Sequence, residues 1–531
     1  MPLIASDILD IYEMTDGLNT IKSGIRLGPK EFKNTQNIRY SPVGGFKWRT
    51  GYVTLGDAPG AACTGLYMGR FSGGTNVAFR IQGAKIEKMD NLDGTWDDIT
   101  GAVTVTAGQD NVCTFDMLND FVVVSNNTNT TFAVSGSLTS ATLSSVPFTS
   151  SLFNVQHRGY MFYGQPVVSA TRQYDRLYFS SINDPNTVGA NNFIDVAKKN
   201  SGDLRGAIDY NGKLFCFKRH GIHSIEFQPT RVNSAGDLFP FIENANPVVP
   251  GVGTQSHRSI VKFTTPSTHK TPGQELVFFV DQFGVPRLFD GQASIAIGAT
   301  IMSSRADNIV SLGNMDKSRL AYTWAVNDPA NNLIHCFQST SGQTKHDVSW
   351  VLDYTSAFAW SRDSYADTFN CGAIFENNVG EFKPYFASYT AQVVETDSGQ
   401  TDNGTVITSY ARCGDFYSKS PVVQSKWLYN EVRGTTGGES QAVTVEYFKD
   451  GEDTPSNTAS IILFKQDQAA WDEVNWDQFN WVYSGLTTKS SEINLEAKTL
   501  SVQFSNATSG NTATVEGYTL FVMPEGWKQE N

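Results

Sequence analysis

Short apolar runs alternate with polar turns along the whole chain, and amphipathic helical periodicity is hard to find. Examples are residues 121–124 (FVVV), 160–163 (YMFY), 214–217 (LFCF) and 276–280 (LVFFV). Apolar runs of about four to eight residues, bounded by Gly, Asn, Asp or Pro, are typical of β-strands. The pattern therefore predicts an all-β protein.

A tight polar turn followed by an apolar strand recurs at residues 118–122, 156–161 and 210–215, with looser versions at 280–285 and 326–333. Asn-Gly and similar pairs favour two-residue hairpins because both turn positions adopt positive φ. Spacings of roughly 40 to 70 residues suit a β-propeller whose blades carry insertions. We therefore predict a propeller of about six blades, with a stack of β-sandwiches as the alternative.

The two ends of the chain have a different pattern from the middle. Residues 1–60 precede the first hairpin and are predicted to form an extended N-terminal strap, and residues 61–395 the propeller. After a polar link at 398–405, residues 396–531 are predicted to form a C-terminal β-sandwich. Its strand-like stretches are residues 426–432, 442–448, 500–504 and 515–522.

The charge balance narrows the possible partners. The formal net charge is -13, and only 18% of the residues are charged. Affinity for phosphate backbones needs clustered positive charge, so sequence-specific DNA binding is not expected. An acidic wall instead repels nucleic acid over about 10 Å, the Debye length, which suits a channel through which DNA slides.

The six cysteines show no CxxC pair and no zinc-type spacing, so they are expected to be buried free thiols of a protein made in a reducing cytoplasm. We expect no signal peptide, because the first residues lack a basic region followed by an apolar run. No apolar run reaches the length of about 18 residues that a membrane span needs, so no membrane insertion by this chain is expected.

One region combines strand-forming aromatics, a stiff polar turn and a hairpin, and it resembles the nozzle, or tail-hub, proteins of short-tailed bacteriophages, which include tail tubular protein B-like and packaged-DNA stabilisation proteins. The residues that carry the resemblance are Asp175, Arg176, Leu177, Tyr178, Phe179, Asp184, Pro185, Phe193, Asp195, Asn211 and Gly212. The opening at residues 17–52 and the strand order after residue 426 resemble the same family.

The resemblance implies a structural protein of the virion rather than an enzyme. It implies a homo-oligomeric ring, hexameric in that family, below the portal-adaptor complex and in contact with tail fibre proteins. The ring would retain genomic DNA and release it through an acidic bore without sequence-specific binding. The chain would be synthesised in the cytoplasm of the bacterial host and would need no cofactor.

Trp471, Trp476 and Trp481 are spaced every five residues, with acidic residues between them. Exposed aromatic faces beside carboxylates bind sugars, whereas tryptophans also anchor loops and subunit contacts. These residues are therefore candidate partner or glycan contacts. They motivate an alternative function, a propeller-type glycan-binding adhesin or glycan hydrolase on the virion surface.

The remaining motifs favour structural roles. Residues 91–96 (NLDGTW) resemble an Asp box, although a plain Asp-Gly turn explains them and the spacing does not fit a calcium loop. His220 and His223 lie three apart, which on a strand places them on opposite faces. The triplet at 218–220 could touch DNA or a partner, or simply be solvated. We expect no catalytic residue, metal ligand or cofactor site, although carboxylate pairs leave no local motif.

Overall fold

The computed structural model describes residues 7–41, 44–57, 60–232, 238–244, 246–302, 310–377, 380–390, 392–436, 441–463, 487–508, 510 and 513–524. Nearly all regular structure in these residues is β-strand, arranged in many small antiparallel sheets. The prediction of an all-β, propeller-type fold is confirmed.

Blades 1 to 4 each contain four consecutive antiparallel strands, to which blade 4 adds a fifth. From the inner to the outer edge, blade 1 contains Cys63–Arg70, Asn76–Gln82, Lys85–Asp90 and Asp97–Asp98, and blade 2 contains Thr114–Leu118, Phe121–Ser125, Phe132–Ser135 and Ser140–Thr142. Blade 3 contains Phe153–His157, Tyr160–Gly164, Arg176–Phe179 and Phe193–Asp195. Blade 4 contains Leu204–Tyr210, Lys213–Lys218, Gly221–Phe227 and Phe241–Glu243, with Val249–Pro250 as the fifth strand. A hairpin, Val167–Val168 with Thr171–Arg172, is inserted in blade 3.

Blades 5 to 7 follow the same plan. Their strands are Val261–Thr264, Glu275–Val280, Pro286–Phe289 and Ser294–Ala296; Trp324–Asp328, Leu333–Gln338, Val348–Asp353 and Ala359–Asp363; and Phe369–Glu376, Phe382–Ser388, Val393–Thr396 and Tyr52–Thr54. Five short 3-10 helices lie between strands in the described residues, at Gly24–Arg26, His257–Ser259, Gly298–Ile301, Leu312–Asn314 and Lys317–Tyr322.

A separate apolar cluster fills each contact between neighbouring blades, so the seven blades close into a ring. The cluster that joins blade 7 to blade 1 contains Cys63, Phe375 and Tyr385. The strand Tyr52–Thr54 pairs with Val393–Thr396 and becomes the outer strand of blade 7. The N-terminal region of the chain therefore completes the last blade.

The described residues form seven blades, one more than the sequence pattern predicts. The predicted hairpins at 118–122, 156–161 and 210–215 are the equivalent inner turns of blades 2, 3 and 4. Blades 1, 5 and 7 lack that compact inner turn, since the turn predicted at 280–285 lies between the second and third strands of blade 5. The outer strand of blade 7 comes from residues 52–54. The estimate of about six blades missed these features because it relied on the recurring turn signal.

The sandwich is built from both ends of the chain. One sheet has the order Ile38–Tyr40, Phe46–Trp48, Ala513–Pro524, Ser425–Thr436 and Thr487–Ala497, with Asp7–Tyr12 also paired to Ala513–Pro524. The other has the order Gly17–Leu18, Glu31–Gln36, Ser409–Phe416, Leu500–Asn506, Gln441–Lys449 and Asn457–Leu463. Their facing side chains form one core, so the residues predicted as a strap supply strands to both sheets.

Candidate functional site

The residues that carry the family resemblance lie together in blade 3 and at its contact with blade 4. Arg176 and Asp195 face each other on the two outer strands of blade 3 and form two hydrogen bonds, of 2.7 and 3.1 Å. The Arg176 guanidinium also lies 3.5 Å from the ring centre of Phe193. Because these groups satisfy one another, they stabilise the blade edge rather than present a free reactive group.

The apolar members of the motif are core residues. Leu177, Tyr178 and Phe179 are all buried, and Leu177 and Phe179 belong to the cluster shared by blades 3 and 4. Asp184 accepts the backbone N–H of Asn186 at 2.9 Å, which closes the polar turn. The next residue, Pro185, accepts the hydroxyl of buried Tyr163 at 2.6 Å.

Asp175 links blade 3 to blade 4 through Lys218. Its Oδ1 accepts the Lys218 ammonium at 2.9 Å, and Lys218 Nζ also donates to the carbonyls of Val196 and Ala197 at 2.9 Å each. Lys218 is buried, so it does not belong to a surface basic patch with Arg219 and His220. The interpretation of residues 218–220 as a solvated or DNA-facing triplet is wrong for Lys218.

Asn211 and Gly212 form the inner turn of blade 4. Both have positive φ, 49° and 73°, as the predicted two-residue hairpin requires. Residues 91–96 form the turn that precedes the outer strand of blade 1, and Asp93 accepts the Thr95 N–H at 2.9 Å. Trp471, Trp476 and Trp481 lie outside the described residues.

Metal ligation finds no support in the described residues, where no group of three or more His, Cys, Asp or Glu side chains could hold an ion. His223 is buried, and burial lowers its pKa. All six cysteines are buried and free, which confirms the prediction of buried free thiols. In the part of the chain that the structure describes, no helix is long and apolar enough to cross a membrane.

A cleft of about 570 Å³ lies where the propeller meets the sandwich. Trp48, on the sandwich side, is only 5% exposed, yet its indole N–H has no hydrogen-bond partner among the described residues. Asp353 lines the propeller side, and burial raises the pKa of its carboxyl to about 6. The cleft is therefore lined by an aromatic side chain and by a carboxyl that titrates near neutrality.

Two buried arginines cross this junction, each bound by its own aspartate. Arg39 reaches Asp363 of blade 6 with two hydrogen bonds, of 2.8 and 2.7 Å. Burial opposes ionisation of Asp363, but Arg39 outweighs it and holds the pKa of that carboxyl below its usual value. Arg49 binds both oxygens of Asp402, at 2.8 and 2.6 Å, and its Nε donates to Asn37 at 2.9 Å. These bidentate pairs join the sandwich to the propeller.

A third buried arginine lies on the propeller axis. Arg258 belongs to the 3-10 turn before blade 5, and its Nη2 donates to the carbonyl of Asn370 in the inner strand of blade 7. It therefore spans the centre of the ring and lines two cavities, of about 200 and 370 Å³. A side chain therefore occupies the axis of the propeller.

Sequence reasoning missed the arginines as site residues. Arg39 and Arg49 were noticed only as part of the opening at residues 17–52, which resembles the phage family, and Arg258 stands in no recognisable motif. Their partners are far away along the chain, so no local signal could have identified them. The buried aspartates Asp328 and Asp353 were also missed, because their burial depends on the packing of the whole fold rather than on neighbouring residues.

The fold defines a β-propeller protein with an appended sandwich. No model of a known protein family matches this chain, and no curated protein matches it either. Among solved structures, YCF48 bound to a D1 peptide is 11% identical, with a TM-score of 0.37 over 68% of this chain and 97% of that one. BBS1N in complex with ARL6DN is 7% identical, with a TM-score of 0.37 over 66% and 98%. An exo-β-1,3-galactanase from Phanerochaete chrysosporium is 10% identical, with a TM-score of 0.26 over 89% and 100%. Likenesses this weak carry no argument about function.

Proposed function

We propose that this chain is a structural subunit of a short bacteriophage tail, of the nozzle or tail-hub type. Copies of the chain assemble into a closed ring below the portal-adaptor complex, in contact with tail fibre proteins. Genomic DNA is retained by the ring and later leaves through it. The proposal starts from the family resemblance in residues 175–212 and at both ends of the chain.

The observation that carries the proposal is the way the two domains are interlocked. Strands from residues 7–48 lie in both sheets of the C-terminal sandwich, and the next strand, Tyr52–Thr54, closes the propeller. Separating the domains would require stripping paired strands and exposing the ion pairs Arg39–Asp363 and Arg49–Asp402. Such a construction suits a part that bears mechanical load rather than one that opens and closes around a substrate.

The charge of the chain supports passage of DNA without binding. Six copies at a net charge of -13 each would repel the phosphate backbone unless a basic stripe faced the bore. Retention would then depend on a narrow bore and on neighbouring proteins rather than on attraction. DNA passing through would not be read for its sequence.

One face of the sandwich offers a surface for self-association. Ile8, Phe521 and Tyr429 are direct cross-strand neighbours on three adjacent strands. Ile8 is 55% exposed, Tyr429 is 36% exposed, and the rings of Tyr429 and Phe521 stack with centres 4.1 Å apart. An apolar row of this kind is typical of a subunit contact and is suited to burial against a neighbouring copy.

The test is the assembly state of the purified protein, measured by native mass spectrometry and by cryo-electron microscopy of the virion. We expect a closed ring with an acidic bore. Tyr429→Ser should weaken the ring, whereas Phe283→Ser, which changes an exposed aromatic residue of blade 5, should not. A monomer within the virion, or a bore lined by Lys and Arg, would contradict the proposal.

A second candidate function is glycan binding in the cleft between the propeller and the sandwich. The observation that favours it is that Trp48 and the titratable carboxyl of Asp353 both line this cleft, since aromatic side chains beside carboxylates bind sugars. Host polysaccharide should then bind the wild type and Trp96→Phe but not Trp48→Phe. Absence of both binding and reducing-end release would remove this candidate.

A further inference from the structure

Among the described residues, no carboxylate pairs with the guanidinium of Arg258. Its Nη2 donates to the Asn370 carbonyl, while its Nη1 is fully buried and has no hydrogen-bond partner among the described residues. A buried arginine is ordinarily paired with a carboxylate, because an isolated charge is poorly solvated away from water. Burial lowers the pKa of Arg258.

The acidic groups nearest to Arg258 are neutral at physiological pH. They are the thiols of Cys371 and Cys113 and the phenol of Tyr389. Burial raises the pKa of Cys113 and of Tyr389 to about 12, and raises that of Cys371 well above its usual value. None of the three therefore supplies a negative charge.

The histidines around the axis do not change this balance. Burial lowers the pKa of His257 to about 4 and that of His346 to about 3, and the charge of Arg258 acts in the same direction. Both imidazoles are therefore neutral near pH 7. Among the described residues that line the smaller cavity, only Arg258 carries a positive charge.

The mouth of the axial pocket carries a further excess of positive charge. Arg205 and Arg219 share one carboxylate, Asp203, at 2.8 and 3.5 Å. Arg205 lines the larger cavity together with Arg258, and its buried Nε has no partner among the described residues. The carboxylate of Asp110, which also lines this cavity, is already bound by Arg319 at 2.8 Å.

We propose that this axial pocket, which Arg258 lines, binds a small oxyanion of the phosphate or carboxylate type through the Arg258 guanidinium. The smaller cavity has a volume of about 200 Å³. Since a water molecule takes about 30 Å³ in the liquid, this space accommodates a tetrahedral or planar oxyanion. Charge-assisted hydrogen bonds from the guanidinium supply the recognition, and the apolar walls strengthen them by excluding water. The anion is either a free ion or the acidic group of a partner inserted along the axis.

The experiment compares the thermal stability of the wild type, Arg258→Met and Arg287→Met at constant ionic strength, with phosphate or acetate replacing chloride. Arg287 is the matched control because it lies in blade 5 and is bound by Ser294 at 2.9 Å and Asp281 at 3.4 Å. We expect saturable stabilisation of the wild type and of Arg287→Met, and none of Arg258→Met. Parallel shifts in all three proteins would indicate a general salt effect and overturn the proposal.

Calorimetric titration of the folded wild type with phosphate and with acetate keeps the proposal testable if Arg258→Met does not fold. We expect saturable binding of at least one anion, weakened at least tenfold in Arg258→Gln. A preference for phosphate would indicate a phosphate-type ligand, and a preference for acetate an acidic side chain or chain terminus. No binding of either anion to the wild type would overturn the proposal.

Discussion

Buried arginines occur at the propeller–sandwich junction and on the propeller axis, and they differ in what surrounds the charge. At the junction, Arg39 and Arg49 each meet a dedicated aspartate in bidentate geometry. On the axis, the described partners of Arg258 are the Asn370 carbonyl, two thiols and a phenol, and none of them is a carboxylate. The same side chain thus forms an internal cross-link in one region and an uncompensated charge in the other.

This difference separates arginines with a structural role from an arginine with a binding role. A buried ion pair that satisfies both partners fixes the relative position of two elements, and breaking it leaves a charge without solvation. A buried cation without an anion is costly to the folded state unless something enters to compensate it. The junction is therefore complete within the chain, while the axial pocket is complete only with an external anion.

The largest loss of stability should come from leaving a junction arginine without its aspartate, so that it resembles Arg258 on the axis. Asp402→Ala removes both oxygens that bind Arg49 and also the acceptor of the Ala366 N–H. Breaking a buried pair by deleting one partner typically costs about 3–5 kcal/mol. Urea unfolding followed by tryptophan fluorescence should show this loss in the free energy of unfolding.

The control for this prediction is Asp453→Ala. Asp453 lies 3.5 Å from Arg412 but its side chain is 68% exposed, so its removal should cost less than about 1 kcal/mol. Equal losses in the two variants would mean that the junction pair is no stronger than a surface pair. The paired junction arginines and the unpaired Arg258 would then no longer differ in the way proposed above.

The parts of the fold that sequence predicted are those that depend on neighbouring residues. The turn at Asn211 and Gly212 was predicted because positive φ at two successive positions is a local requirement. The sandwich strands at 426–432 and 442–448 were predicted from their alternation. Local patterns of this kind do not depend on what the rest of the chain does.

The features that sequence did not predict depend on distant partners. Nothing in residues 52–54 shows that they pair with Val393–Thr396 and complete the seventh blade. Arg258 stands in an ordinary polar stretch, and only the convergence of blades 5, 7 and 1 around it creates its environment. Tertiary placement, not residue type, made it a candidate site.

The second prediction concerns Asp328, a buried anion that hydrogen bonds with Asn331 rather than with a cation. Burial raises its pKa from 3.8 to about 6. Between about pH 4 and 6 the folded state therefore keeps a proton that the unfolded chain releases, so stability falls as pH rises through this window. From pH 5 to pH 7 this loss amounts to about 1.4 kcal/mol, and Asp328→Asn should abolish it.

Asp363→Asn is the matched control for this pH dependence. Because Arg39 keeps the pKa of Asp363 low, that carboxyl is ionised throughout the range from pH 5 to pH 7. The free-energy difference between Asp363→Asn and the wild type should therefore stay constant across the range, whereas that of Asp328→Asn should change. Urea unfolding at the two pH values measures both, and a constant difference for Asp328→Asn would show that its carboxyl does not titrate there.

The smallest loss of stability should come from removing both members of the pair Arg39–Asp363. Asp363→Leu alone leaves Arg39 buried and unpaired, as Arg258 is, and should cost about 3–5 kcal/mol. Adding Arg39→Met removes the unpaired charge and fills the space with apolar atoms. Tyr365, whose hydroxyl donates to Asp363 at 3.0 Å, still loses its partner, so the double variant should lie about 1 kcal/mol below the wild type in urea unfolding. If the double variant is as unstable as the single one, an unpaired arginine is not the source of the cost. That result would also count against an anion beside Arg258, because the anion is expected only if a buried, unpaired guanidinium destabilises the folded state.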